Sequence, residues 1–211
     1  MITPRQTRLH RAADPAAFRR GIFSLVAERQ PFAVRDTFVV VPTRAAADEL
    51  RRTLEQLAWA AAVPAVCLPL IGTRADLVDA LAARLAHPPP RLTAFDREVI
   101  LARAARDARA RGFEPPFAVR PGLVAEMLTL YDAVRRQRRT VARFEEFLTG
   151  ELAASDDRGA ERLLAQTRFL AEAFRGYDAG VEASGQVDEH GLRDHLLAED
   201  ADHPVTQVIL T

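Results

Sequence analysis

The chain has 211 residues, 48% of them hydrophobic and 27% charged, and its 29 basic residues balance 29 acidic ones. That length accommodates one large domain or two small ones with a sizeable core; the zero net charge excludes a global basic field, so any nucleic-acid site must be a local patch. Every basic residue is Arg, which excludes a phosphate-loop lysine, a Schiff base and a lysine-dependent nuclease centre, and the single Cys67 excludes a disulfide framework and a cysteine zinc site.

Residues 5–10 (RQTRLH) are expected as a short strand. DPAAFRRGIFSLVAER, residues 14–29, reads as a helix capped by Asp14 with Pro15 at its first position. Its apolar face is Phe18, Ile22, Leu25 and Val26. TFVVV at 37–41 is a β-branched run of the kind found in a parallel strand covered on both faces. Thr43 then caps a helix carried by Ala45 to Trp59. AVCLPLI at 65–71 reads as a second strand, and Thr73 caps a helix running to about Leu85. Strand, helix, strand, helix in that order indicates an α/β unit.

The pattern changes after His87, where PPP at 88–90 breaks the chain. Thr93 and Asp96 resemble a capping box that opens a helix. The helix from 121 carries Leu123, Met127, Leu130 and Val134 on one face. The helix from 159 carries Leu163, Thr167, Leu170, Phe174, Tyr177 and Val181 at three-to-four spacing. These stripes predict the core of a helical bundle. ELAASDD at 151–157 is expected as a solvated loop, and HPVTQVILT at 203–211 turns strand-like again and stops abruptly, as in a piece of something longer. The predicted domains are therefore 1–86 plus 204–211 (α/β) and 87–203 (all-helical).

Three stretches carry candidate chemistry. Thr43 and Thr73 each end an apolar strand and open a helix, and Arg44 and Arg74 follow them. Free N–H groups and the helix dipole suit an anion there, and the Arg fork adds donors. Taken alone, each Thr is a helix cap. Two such turns on neighbouring strand ends form a ligand groove, because open α/β sheets bind ligands beyond their carboxyl ends. The third stretch, VRRQRRTVARF at 134–144, is the strongest local positive patch through Arg135, Arg136, Arg138 and Arg139. It reads as a phosphate-backbone contact, or as a solvated helix end whose cations complement the dipole. His190 and His195, near Asp188, Glu189 and Asp194, read as surface polar residues rather than a metal site. No nucleophile motif stands out, and neither a metal nor a cofactor is expected.

VVVPTRAAADELRRTL resembles helicase motif Ia of superfamily 1 proteins, which touches single-stranded DNA, and LIGTRADLVDAL resembles the next motif, where a Thr at a helix start also contacts the strand. ASGQVDEHGLRDHLL resembles the Asp-rich segment before the chain re-enters the sheet, and VTQVILT the strand leading to the Walker B acid. More narrowly, the chain is similar to AddB/RexB-type subunits of bacterial double-strand-break repair helicase–nucleases. The resemblance implies an incomplete P-loop-NTPase-like parallel sheet (subdomain 1A-like) with a large all-helical insertion (1B-like). It implies single-stranded or end-frayed DNA and a helicase subunit of AddA type as partners.

The departures bear on activity. Where an active helicase has its Gly-rich, Lys-containing loop, this chain reads HRAADPAAF. ATP hydrolysis is therefore not expected, and a nuclease activity of the parent would lie in a domain absent from these residues. No membrane segment or signal peptide is legible, so a cytoplasmic protein is expected. Two other readings compete with DNA guidance. One is an interaction scaffold that holds a partner helicase subunit without touching DNA. The other is a Rossmann-type enzyme, which the missing glycine fingerprint disfavours.

Overall fold

The computed structural model describes residues 6–30, 32–61, 67–153, 158–199, 201 and 203–211. The chain separates into two compact units, Met1–Pro88 with Glu199–Thr211, and Pro89–Ala198.

The first unit is mixed α/β. Its elements are α1 (Pro15–Ala27), β1 (Thr37–Val40), α2 (Arg44–Ala60), β2 (Leu70–Gly72), α3 (Arg74–Ala82) and the late strand that returns to it, Gln207–Leu210. The three strands form one parallel sheet, with β1 between β2 and the late strand. The register sets Val39 beside Ile71 on one side and Ile209 on the other. These three face Ile22 and Val26 of α1 and Leu50 and Leu54 of α2, which form the core with Val34, Val41 and Ala47. Parallel pairing needs crossover connections, and α2 supplies the one between β1 and β2.

The expected coverage of both sheet faces is only half met. On the opposite face Phe38 is buried, but its register partners Leu70 and Val208 are 43% and 45% exposed and Leu210 is 76% exposed. Phe38 lies beside Gly72 on that face: a Cβ on Gly72 would stand 3.2 Å from Phe38 Cζ. The strand expected at 5–10 does not form over the described residues 6–10. Nor do Cys67–Pro69 join the second strand, which is confined to Leu70–Gly72; residues 65 and 66 of that prediction lie outside the described residues.

The second unit is helical: α4 (Ala94–Ala110), α5 (Pro121–Arg136), α6 (Val141–Ala153), α7 (Arg158–Ser184) and α8 (Glu189–Ala198). The late strand of the first unit is β3. Thr93 and Asp96 form the expected capping box at the start of α4. Residues 151–153 of the expected loop are the last turn of α6, and 154–157 lie outside the described residues.

Alanines let α4 approach α7 closely: Ala104, Ala105 and Ala108 are buried against Phe169, Ala173, Phe174 and Tyr177. Gly176 and Gly180 permit the same approach from α7, since a Cβ on Gly180 would stand 2.6 Å from Ile100 Cγ2. On α5 the buried face is Val124, Met127, Leu128 and Tyr131, rotated from the expected stripe. Tyr131 meets Tyr177 and Phe174 edge-on, with ring centroids 4.8 and 5.4 Å apart.

A polar network ties four of these helices together. Arg97 on α4 donates from Nη2 to Asp132 Oδ1 (2.6 Å) and from Nε to Tyr177 Oη (2.8 Å). His190 Nε2 donates to the same Asp132 oxygen at 3.0 Å. Asp188 accepts from the His190 and Gly191 backbone N–H groups and so caps α8. His190 is thus not the surface residue that the sequence led us to expect: it is 1% exposed, and Asp188 is buried beside it. Burial raises the Asp132 carboxyl, but hydrogen bonds from His190 and Arg97 outweigh it and bring the group down to about 2.

Candidate nucleic-acid interface

The parallel pairing of β1 and β2 brings their carboxyl ends side by side, and with them the two turns singled out in the sequence. Val41 N–H donates to Gly72 carbonyl at 2.9 Å, the last rung before both strands turn into helices. Thr43 is the N-cap of α2, its Oγ1 accepting from Ala46 N–H at 3.1 Å. Thr73 is the N-cap of α3. Arg44, from the first turn, reaches Asp76, from the second, at 3.9 Å. Thr43, Arg44 and Thr73 therefore belong to one edge of one sheet, and exposed Arg74 opens α3 on that edge.

The two helix ends differ. The first turn of α2 contains no acidic residue, so the Thr43 hydroxyl is its cap and no carboxylate of its own offsets the dipole. The first turn of α3 contains Asp76, whose Oδ2 accepts from both Thr73 N–H and Thr73 Oγ1 at 2.8 Å. Those bonds, the backbone one first, hold the Asp76 carboxyl below its ordinary range, so it stays ionised. The α3 end carries its own anion, whereas the α2 end is open to one from outside.

The arginines at the two ends of the sheet also differ. At the amino ends of β1 and β3, Arg29 donates to Thr37 Oγ1 (3.2 Å), Gln207 Oε1 (3.0 Å) and Thr206 Oγ1 (3.1 Å). Arg84 donates there to the Arg35 and His203 carbonyls and pairs with Asp36 at 3.4 Å. These guanidinium groups are consumed by the fold. At the carboxyl ends Arg44 is 88% exposed, and the exposed Arg74 side chain makes no ion pair or hydrogen bond among the described residues. Thr211 completes that edge beyond β3, donating from Oγ1 to Val40 carbonyl at 2.9 Å; sequence reading did not single it out.

The Arg-rich stretch closes α5. Arg138 N–H bonds Arg135 carbonyl at 2.9 Å and Arg139 N–H reaches Val134 carbonyl at 3.3 Å, while Arg138 itself adopts φ 56°. This is a Schellman cap with Arg where glycine is usual. Arg135 and Arg136 have carboxylate neighbours, Asp194 at 3.9 Å and Glu189 at 3.7 Å. Arg138 and Arg139 are exposed and have no ion-pair partner among the described residues. Arg139 borders an apolar concavity of about 360 Å³ with Arg143, Phe144 and Phe147. Arg135 and Arg138 line another, of about 250 Å³, with Arg193, Asp194 and Leu197. Arg193 was not legible as a site residue, because a helix periodicity does not say which charges on α8 meet the end of α5.

Among the described residues no cluster of His, Cys, Asp and Glu is placed to hold a metal ion, and no helix is long and apolar enough to cross a membrane. No family model, curated protein or solved structure matches the chain.

Proposed function

We propose that the chain is an ATP-inactive, helicase-like module that guides single-stranded or end-frayed DNA by its phosphates. In this reading it acts in cytoplasmic double-strand-break repair, beside a motor subunit of AddA type. The α/β unit would be an incomplete P-loop-NTPase-like sheet, and the helical unit its 1B-like insertion. One observation carries the proposal: guanidinium groups are internally satisfied at the amino edge of the parallel sheet and solvent-facing at its carboxyl edge, beside a helix N-terminus with no carboxylate of its own. That is the edge at which open α/β sheets take ligands.

A phosphate would sit on the α2 N-terminus, with Arg44 and Arg74 as forked donors. Such contacts hold a strand without reading its bases. ATP inactivity is supported at a second place. The interval HRAADPAAF lacks both Gly and Lys, and Asp14 Oδ1 accepts from Ala17 N–H at 2.6 Å. The start of α1 therefore carries a carboxylate that repels a nucleotide phosphate.

A second reading, a scaffold for the partner subunit without DNA contact, draws on Asp76, whose charge lies on the same edge and competes for Arg44. The double variant Arg44→Ala, Arg74→Ala separates the two. Under the DNA-guiding reading its affinity for an oligo(dT) strand drops at least tenfold while its melting temperature holds. Unchanged affinity with the fold intact supports the scaffold.

A further inference from the structure

We propose that the concavity between the end of α5 and α8 is a binding site for a phosphate dianion, held by Arg135, Arg138 and Arg193. The site goes beyond strand guidance and does not rest on it. Its volume is about 250 Å³ and its wall consists of those three arginines, Asp194 and Leu197. The Nε atoms of Arg135 and Arg193 are buried and have no hydrogen-bond partner. Buried donors in folded proteins are nearly always paired, and these two unpaired N–H groups belong to side chains that line the concavity.

Asp194 does not fill that role. Its oxygens lie 3.9 Å from Arg135 Nη2 and 3.9 Å from Arg193 Nε, beyond hydrogen-bond reach. The lining residues carry three positive charges and one negative, and Asp178 also acts on Arg135. A carboxylate ligand would bring a single charge. A phosphomonoester or inorganic phosphate brings close to two at neutral pH, with three or more acceptor oxygens for forked donors.

Arg138 supplies an independent indication. Its backbone is held at φ 56°, in the left-handed region where glycine is unstrained and a side chain is not. The fold alone would favour glycine at this helix end; an Arg there keeps a third guanidinium on the concavity. Strain of that kind persists where a site uses the side chain.

The test is calorimetric titration of inorganic phosphate into the whole chain at constant ionic strength in chloride, repeated with Arg193→Gln, with Arg138→Gly and with the double variant Arg44→Ala, Arg74→Ala. We expect a saturable site that is kept in Arg44→Ala, Arg74→Ala and weakened at least tenfold in Arg193→Gln and in Arg138→Gly, while Arg138→Gly melts at a higher temperature than the parent. Loss of binding alongside gain of stability distinguishes a ligand role from a structural one. Absence of saturable binding, binding unchanged in both Arg193→Gln and Arg138→Gly, or binding lost in Arg44→Ala, Arg74→Ala, overturns the site. A second arm compares 5′-phosphorylated and 5′-hydroxyl oligo(dT). A tenfold preference for the phosphorylated strand, lost in Arg193→Gln, upholds the site with a strand end as the source of the phosphate. Equal affinity with inorganic phosphate still bound upholds it with a small free phosphate. Failure of phosphate binding leaves the sheet-edge proposal untouched.

Discussion

Asp76 is the residue on which the reading of the sheet edge turns. Its carboxylate closes the α3 cap and stands 3.9 Å from Arg44, so it competes with any phosphate that approaches. Asp76→Asn keeps an acceptor for the Thr73 N–H and removes the charge. Under the DNA-guiding reading, single-strand affinity rises a few-fold in fluorescence anisotropy; the scaffold reading expects no change. Gly72 sets the same turn. A Cβ there would stand 2.8 Å from Asp76 Cβ, so Gly72→Ala must push the capping carboxylate aside. Overpacking of this kind costs about 1–3 kcal/mol, visible as a lower urea midpoint. Neither consequence was legible beforehand. The sequence placed Thr73 as a cap, but it did not show Asp76 reaching back to close the cap and facing Arg44 across two strands.

At the scale of elements, the helical unit is organised by the network through Asp132 as well as by its apolar stripes. Arg97, Asp132, Tyr177 and His190 come from four different helices, and removing the Asp132 charge leaves the Arg97 guanidinium without its carboxylate. Asp132→Asn should cost about 3 kcal/mol, the low end for a broken buried pair, in chemical denaturation. Acid stability gives a second readout. The folded carboxyl titrates near 2 against an ordinary 3.8. Its contribution is therefore complete above 3.8 and is lost as pH falls through about 2; Asp132→Asn should lack that acid-sensitive component. The Thr93 capping box and most of the α7 stripe were readable from cap chemistry and spacing alone, but Leu163 of that stripe is 42% exposed. The network was not, because periodicity reports which faces are apolar and not which polar tips meet. On α5 spacing misled in part: Leu123, Val124, Met127, Leu128, Leu130 and Tyr131 make two adjoining faces apolar. Tertiary packing buried the one with Tyr131 and left Leu130 and Val134 lining a groove.

At the scale of the molecule, zero net charge confines any nucleic-acid affinity to local patches, and by itself the chain should bind weakly. The α/β character was legible, because a β-branched run followed by a capped helix has few alternatives; that the late strand joins a parallel sheet was implied only by the resemblance. The bare sheet face was not legible, since the same run suits a strand covered on both sides. The central claim is that phosphates are held at the carboxyl edge of the sheet, and the measurement that tests it most directly is the salt dependence of oligo(dT) binding. Each phosphate contact on a single strand contributes about 0.7 to the slope of log affinity against log salt. The account predicts a negative slope in the parent chain and one shallower by about 1.4 in Arg44→Ala, Arg74→Ala, two contacts fewer. An identical slope in parent and variant, or no salt-dependent binding in either, would contradict it.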